Sequence, residues 1–344
     1  MKDIASSDLK TILHSKRANL YFLEHCRVLV TGGRVAYVTD AGKRALYWNI
    51  PIANTVTLLL GPGTSITQSA MRELAKAGVL VGFAGGGGTP LFAAVEANAD
   101  IDVAWLTPQS EYRPTEYLQA WMRWWFDDAA RLSAAKTLQH ARLDRLTQIW
   151  TTGRDAPFEV DAQRLKNLLD ASRARVGSAP DITALLTEEA RLAKALYAMV
   201  AQATGYGDFT RTKRGAGTDS ANRFLDHGNY LAYGLAASAC WVLGLPHGLA
   251  VLHGKTRRGA LVFDVADLVK DAVVLPQAFV SAMCGESESE FRRACIDRLT
   301  RTEALDFMID TLKAIATQTH SQAESCISCS CPNAQAMRSR KRDA

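Results

Sequence analysis

The chain has 344 residues, a formal charge of +5, and 48% hydrophobic against 22% charged residues. This is the composition of a folded globular protein with room for two domains, which excludes an intrinsically disordered chain. No run approaches the roughly 18 apolar residues of a membrane span, and the N-terminal "MKDIASSDLKTILHSKRANL" lacks the apolar segment of a signal peptide, so a cytoplasmic protein with no membrane partner is expected.

The first hundred residues read as strand-rich. "CRVLVTGGRVAYVTD" alternates Val28 and Val30 with Val35 and Tyr37 around Gly32-Gly33, a hairpin signal because glycine supplies the positive φ that tight turns need. "TVTLLLG" and "GVLVGFAG" are short apolar runs ending in glycine and read as strands. Between them "SITQSAMRELAKAG" reads as one helix, entered from Thr64 or Ser65 and stopped at Gly78. The strand, glycine turn, helix order invites a dinucleotide-binding reading. It is rejected because "GPGTSI" has Ile66 where a third glycine belongs, and no acidic residue is placed to hold a ribose.

From about residue 109 the pattern changes. "TPQSEYRPTEY" is a connector with Pro114 suited to a helix start, and helices are expected near 115–150, 159–176, 182–204, 219–244, 262–280 and 287–318. The cluster Trp121, Trp124, Trp125 and Phe126 reads as a core or interface stripe. Of the seven cysteines, three form "CISCSC" near the C-terminus, an incomplete zinc set that reads as incidental reduced thiols.

Asp264 and Asp267 are three residues apart, which on a helix sets both carboxylates on one face, roughly 5–6 Å apart at Cβ. A divalent cation neutralises such a pair; the polar face of an amphipathic helix that continues through Lys270 and Asp271 is the plainer alternative. His253 lies in a glycine-flanked loop eleven residues before Asp264 and can fold back over the helix start. Imidazole with carboxylates suits Mn²⁺ and tolerates Mg²⁺, ions that activate phosphodiester chemistry. A third ligand is sought in "LLTEEARLAKALYAMVA", where Glu189 sits on or beside the apolar stripe Leu185, Ala193, Leu196 and Val200 and Glu188 is the more ordinary surface glutamate, although the sequence does not settle which of the two points inward. Basic clusters at 210–215, 254–259 and 338–342 suit phosphates, though each taken alone reads equally as solvated surface.

Together these segments resemble the CRISPR adaptation integrase family, the nuclease/integrase subunit that inserts new spacers, and within it the type I-F branch. "NIPIANTVTLLLGPGTSITQSAMRELAKAGVLVGFAG" resembles its strand–helix–strand segment, and "EARLAKALY" its Glu-centred helix. "NRFLDHGNYLAYGLA" resembles its Asn-and-Tyr helix, and "LHGKTRRGALVFDVADL" its histidine loop and aspartate helix. The resemblance implies an α+β fold of two domains: a small β-rich N-terminal domain, sandwich-like with one helix, for dimerisation and partner binding (1–108), and a larger all-α catalytic domain holding the metal and DNA (109–320). Residues 321–344 form a tail with no assigned role.

It further implies Glu189, His253 and Asp267 as metal ligands for Mg²⁺ or Mn²⁺, with Asp264 an acidic neighbour in the same site. Arg211, Lys213, Arg214, Lys255, Arg257 and Arg258 are the DNA-backbone candidates, and His227, Tyr230 and Asn222 are either supporting groups or a packed polar helix face. Implied partners are captured DNA and CRISPR repeat DNA, a second copy of the chain, and a small ferredoxin-like second adaptation subunit fused to the interference helicase-nuclease. Two rival functions share the same residues: a stand-alone structure-specific nuclease using water, and a non-catalytic DNA-binding scaffold.

Overall fold

The structure, a computed structural model, describes residues 19–41, 44–83, 91–96, 105–107, 114–151, 158–212, 219–254 and 259–329. The N-terminal part holds nine strands, one α-helix and a short 3-10 turn (Ile52–Asn54) among these residues. They run β1 (Asn19–Leu23), β2 (Arg27–Thr31), β3 (Arg34–Ala41), β4 (Arg44–Asn49), β5 (Thr55–Leu60), β6 (Ser65–Ile66), α1 (Gln68–Lys76), β7 (Leu80–Phe83), β8 (Leu91–Glu96) and β9 (Trp105–Thr107). One sheet has the order β1-β5-β7-β8-β9, the other β4-β3-β2-β6. The β2–β3 hairpin turns where expected, with Gly32 and Gly33 at φ 55° and 73°, the double positive φ of a primed turn. Helix α1 begins three residues later than Thr64, because the Thr67 side chain accepts from the Ala70 N–H and caps it.

β5 is buried along its whole length, which is why it is written as an unbroken apolar run. Leu58 and Leu60 join Val28, Val35, Ile50 and Leu74 in a core beneath α1, whereas Val56 and Leu59 join the helical core. Thr57 Oγ1 meets Ser238 Oγ at 2.8 Å, so sheet and helices share a buried hydrogen bond as well as apolar contact.

The C-terminal part is helical: α2 (Glu116–Trp125), α3 (Asp128–Thr151), α4 (Ala162–Ser178), α5 (Ile182–Thr204), α6 (Ser220–Val242), α7 (Ala260–Val269), a π-helical turn (Lys270–Val274), α8 (Leu275–Met283), α9 (Glu288–Arg301) and α10 (Ala304–Cys329). Asp161, Asp181, Asp219 and Ser287 cap the N-termini of α4, α5, α6 and α9 with their side chains.

Three helices expected to be continuous are broken, each for a local reason. The run 115–150 divides at Phe126-Asp127, where Asp127 Oδ1 accepts from the N–H groups of Ala129 and Ala130 and starts α3 afresh. The run 287–318 divides at Thr302-Glu303, where Glu303 takes a φ of 50°. Within 262–280, Pro276 has no N–H for the carbonyl of Ala272; Trp150 Nε1 supplies the missing donor at 3.1 Å, and the backbone shifts to π spacing with Leu275 N–H bonding Lys270 O. Among the described residues, no helix is long and apolar enough to cross a membrane.

Candidate metal centre

α5 carries adjacent glutamates into two different environments. Glu188 is buried, accepting from Ser172 Oγ at 2.6 Å and from Arg191 at 2.7 Å and 2.5 Å, so it ties α5 to α4. The expectation of a surface side chain at Glu188 is therefore corrected: its buried carboxylate is acceptable because it is hydrogen-bonded and charge-paired. Glu189, about a hundred degrees further round the helix, faces α3 and α7 instead, with Arg142 Nη1 3.6 Å and His253 Nε2 4.0 Å from its Oε1.

The histidine loop is pinned from both sides. Trp121 and Trp125 of α2 donate their indole N–H groups to the carbonyls of Leu249 (3.1 Å) and Ala250 (2.8 Å). From below, Asp264 of α7 accepts the amides of Val251 (2.7 Å), Leu252 (3.1 Å) and His253 (3.0 Å), and its Oδ1 also meets His253 Nδ1 at 2.7 Å. With Nδ1–H donated to the carboxylate, Nε2 is the free ring nitrogen, as in a histidine prepared to bind a metal. Asp264 is thus engaged by the loop through three backbone amides and the His253 ring, and it is not among the three residues whose ligand atoms converge.

Asp267 completes the convergence. Its Oδ2 lies 3.8 Å from His253 Nε2. One ligand atom each from Glu189, His253 and Asp267 lies within 4.8 Å of the other two. Glu189 Oε2 and Asp267 Oδ2 are buried without a hydrogen-bond partner among the described residues. A cation would satisfy both oxygens, and two carboxylate oxygens with one imidazole nitrogen form a donor set for Mn²⁺ or Mg²⁺.

Two cations border the site. Lys270, half-buried one turn beyond Asp267, forms an ion pair with its Oδ1. Arg142, buried on α3, pairs with Asp271. Charges so close and so poorly solvated move one another's titration. Burial, then the Asp267 carboxylate, raises Glu189 to about 7. At Asp267 burial opposes ionisation, but Lys270, Arg142 and His253 outweigh it and hold the group below the usual range. Burial alone lowers His253; the hydrogen bond to Asp264 and the nearby carboxylates reverse this and raise it.

Of the proposed backbone-binding residues, Arg211 is described: it donates to Asn222 Oδ1 at 2.8 Å and pairs with Asp226. Lys213, Arg214, Lys255, Arg257 and Arg258 lie outside the described residues. Asn222 is buried and stitches the 210–212 segment to α6 by accepting from Thr212 N–H and donating to Thr210 O. His227 Nδ1 is 3.2 Å from Arg292 Nη1, and Arg292 pairs with Glu24 beside β1, so His227 sits at the junction of sheet and helices. Tyr230 is half-buried on α6. Arg142 and the tryptophan clamp on the loop were not anticipated. An arginine set among Leu138, Leu143 and Leu146 was the available signal for the first, one shared with Arg131 and Arg145 on the same helix.

Residues 20–283 match the family model described as CRISPR associated protein Cas1. The chain belongs to the Cas1 family. This Cas1-family chain is 67% identical over 319 residues to a CRISPR-associated endonuclease Cas1 of Pseudomonas aeruginosa, covering 92% of this chain and 98% of that one. It is 61% identical over 315 residues to another from Pectobacterium atrosepticum, covering 91% and 96%. Among solved structures it resembles a CAS1 protein from Thermotoga maritima, with a TM-score of 0.63 at 15% identity over 88% of this chain and 96% of that one. It also resembles a casposase bound to integration product, with a TM-score of 0.62 at 14% identity over 87% and 91%. At these identities the two structures show that the Cas1 fold is shared.

Proposed function

We propose that the Glu189, His253 and Asp267 centre performs metal-dependent phosphoryl transfer on DNA, joining the 3′-hydroxyl ends of captured DNA into a CRISPR repeat. The chain is a CRISPR adaptation nuclease and integrase. The observation that carries the mechanistic reading is the convergence of one ligand atom each from Glu189, His253 and Asp267 within 4.8 Å of one another, at two carboxylates that each keep a buried oxygen with no hydrogen-bond partner among the described residues. A bound Mg²⁺ or Mn²⁺ supplies Lewis acidity to the phosphoryl oxygen and to the leaving oxygen.

The residues of the chain do the rest. Glu189 and Asp267 furnish negative charge, and His253 presents Nε2 because Asp264 holds its other nitrogen. The clamped loop fixes this geometry in advance, which is where the catalytic advantage of a positioning enzyme resides. In the reaction the incoming 3′-oxygen bonds to a repeat phosphorus, the bond to the repeat 3′-oxygen breaks, and that oxygen leaves as a new hydroxyl. No covalent bond to the protein forms.

The assignment of 1–108 to dimerisation and partner binding and of 109–320 to catalysis belongs to this reading. β4 at the edge of the four-stranded sheet exposes Leu46, Tyr47 (60%) and Trp48 (51%), an apolar strip that supports a second copy or a small adaptation subunit as the partner. One solved structural neighbour is a Cas1 bound to DNA and another a complex with Cas2, which supports DNA and a second adaptation subunit as this chain's partners; the fusion of that subunit to a helicase-nuclease is part of the proposal alone. Arg211, Lys213, Arg214, Lys255, Arg257 and Arg258 contribute salt-dependent backbone affinity in the same reading. A non-catalytic scaffold leaves the orphaned oxygens unexplained.

Joining a labelled duplex with free 3′-hydroxyls to a supercoiled plasmid carrying the repeat tests the proposal, with Mn²⁺ and the fused partner present. Joined product should form with the wild type and vanish with Asp267→Ala. Cleavage without joining would leave the hydrolytic nuclease, and equal activity of both proteins would move the centre elsewhere.

A further inference from the structure

We infer that Arg142 is a positioning residue of the metal centre: anchored on Asp271, its guanidinium holds the Glu189 carboxylate in the orientation the ion requires. This rests on reading Glu189, His253 and Asp267 as the metal ligands.

The guanidinium lies where three elements meet. From α3, Arg142 donates Nε to Asp271 Oδ2 at 2.8 Å and pairs with the same carboxylate through Nη2. Nη1 donates to Gln139 Oε1 at 3.3 Å and stands 3.6 Å from Glu189 Oε1 on α5. Asp271 sits four residues after Asp267, one helical turn along the same face, at the start of the π-helical turn. Arg142 therefore touches the carboxylate of one ligand while fixed to the turn that follows another.

A stabilising role alone does not account for this pair. The Arg142 side chain is 4% exposed and that of Asp271 9%, and removing two such charges from water costs as much as their attraction returns. Well-packed apolar residues would serve stability equally well at that position. What they would not do is hold Glu189. Among the described residues no ion pair brings another side-chain cation as near to this carboxylate: His253 stands 4.0 Å from Oε1, and Oε2 of Glu189 has no hydrogen-bond partner. The fork of Arg142, fixed by three donated bonds, borders Oε1, the oxygen that also faces His253 Nε2, and so sets the orientation of the whole carboxylate. A flexible ammonium would hold the charge without setting the angle.

Removing Arg142 alone strands Asp271 in the interior, so the informative variant removes both charges. Isothermal titration with Mn²⁺ alone should be run on the full chain for wild type, Arg142→Met/Asp271→Leu, Arg142→Lys and Glu189→Gln, with thermal melts alongside. The double variant should melt near the wild type yet bind Mn²⁺ about 10–100-fold more weakly, the usual effect of losing a group that orients a ligand. Arg142→Lys should recover only part of the affinity.

Mn²⁺ affinity in a folded double variant within about threefold of wild type would overturn the inference and make the pair purely structural, since ligand-orienting groups cost more than that when lost. Failure of the wild type to bind, or unchanged binding by Glu189→Gln, would instead remove the metal centre itself, and either result is seen without any Arg142 variant.

Discussion

Asp264→Asn isolates the support of the histidine loop from the ligands. In the wild type, Asp264 Oδ2 accepts the amides of Val251 and Leu252, and Oδ1 accepts the His253 amide and faces its Nδ1. Asparagine keeps one oxygen for two of these four donors. If that oxygen stays with the buried amides of Val251 and Leu252, the new NH₂ group faces the His253 amide and must donate to Nδ1. The ring proton then moves to Nε2, the nitrogen needed for the ion. Bonds to a charged acceptor contribute about 1.5–3 kcal/mol each, and part is retained by the remaining oxygen, so a loss of roughly 2–4 kcal/mol is expected. Against a typical stability of about 5–15 kcal/mol the variant still folds. Its Mn²⁺ affinity should fall about 10–100-fold, read by isothermal titration with thermal unfolding in parallel. Wild-type affinity in the variant would refute the tautomer argument, and complete loss of binding at unchanged stability would make Asp264 a direct ligand.

Glu188→Gln should weaken the α4–α5 contact and lower the melting temperature while leaving Mn²⁺ affinity intact, the reverse of Glu189→Gln; loss of metal binding by Glu188→Gln would invert the assignment of the two glutamates. At Gly228 a Cβ would lie 2.4 Å from Val274 Cγ1 and 3.0 Å from Phe291 Cζ, so Gly228→Ala must push α6 off the π-helical turn. A cost of about 1–3 kcal/mol is expected in denaturant unfolding, and an unchanged midpoint would show that this contact has slack. The pH dependence has a definite sign. Glu189, raised from 4.5 to about 7, and His253, also raised, both bind protons more tightly in the metal-free fold than in the unfolded chain. Their contribution to metal-free stability is complete below the unfolded values and is lost as pH rises through the folded ones. Stabilisation by Mn²⁺, which needs Glu189 ionised and His253 neutral, should grow over that same rise. Thermal melts from pH 5 to 8 with and without Mn²⁺ should therefore converge at the acid end, and parallel curves would contradict this.

Much of the fold was legible because it rests on local chemistry. The Gly32-Gly33 turn and the apolar run of β5 are each written in a few adjacent residues. The helix breaks were not legible, because Asp127 and Glu303 are ordinary helix residues until their caps and turns are seen. The consequence of Pro276 depends on Trp150 arriving from 126 positions away in the chain. At the site, spacing set Asp264 and Asp267 on one face of α7 but could not divide their tasks. That division is made by three loop amides that reach Asp264 and leave Asp267 to the centre. Periodicity likewise could not separate Glu188 from Glu189, since both sides of α5 are packed and only Ser172 and Arg191 on one side, Arg142 and His253 on the other, distinguish them.

The most direct test of the account is anomalous diffraction from crystals of the full chain grown with Mn²⁺. The account predicts an ion at bonding distance from His253 Nε2 and from the carboxylates of Glu189 and Asp267, with Asp264 still bonded to the loop amides. An ion held by Asp264, or one bound away from these three ligands, would contradict it.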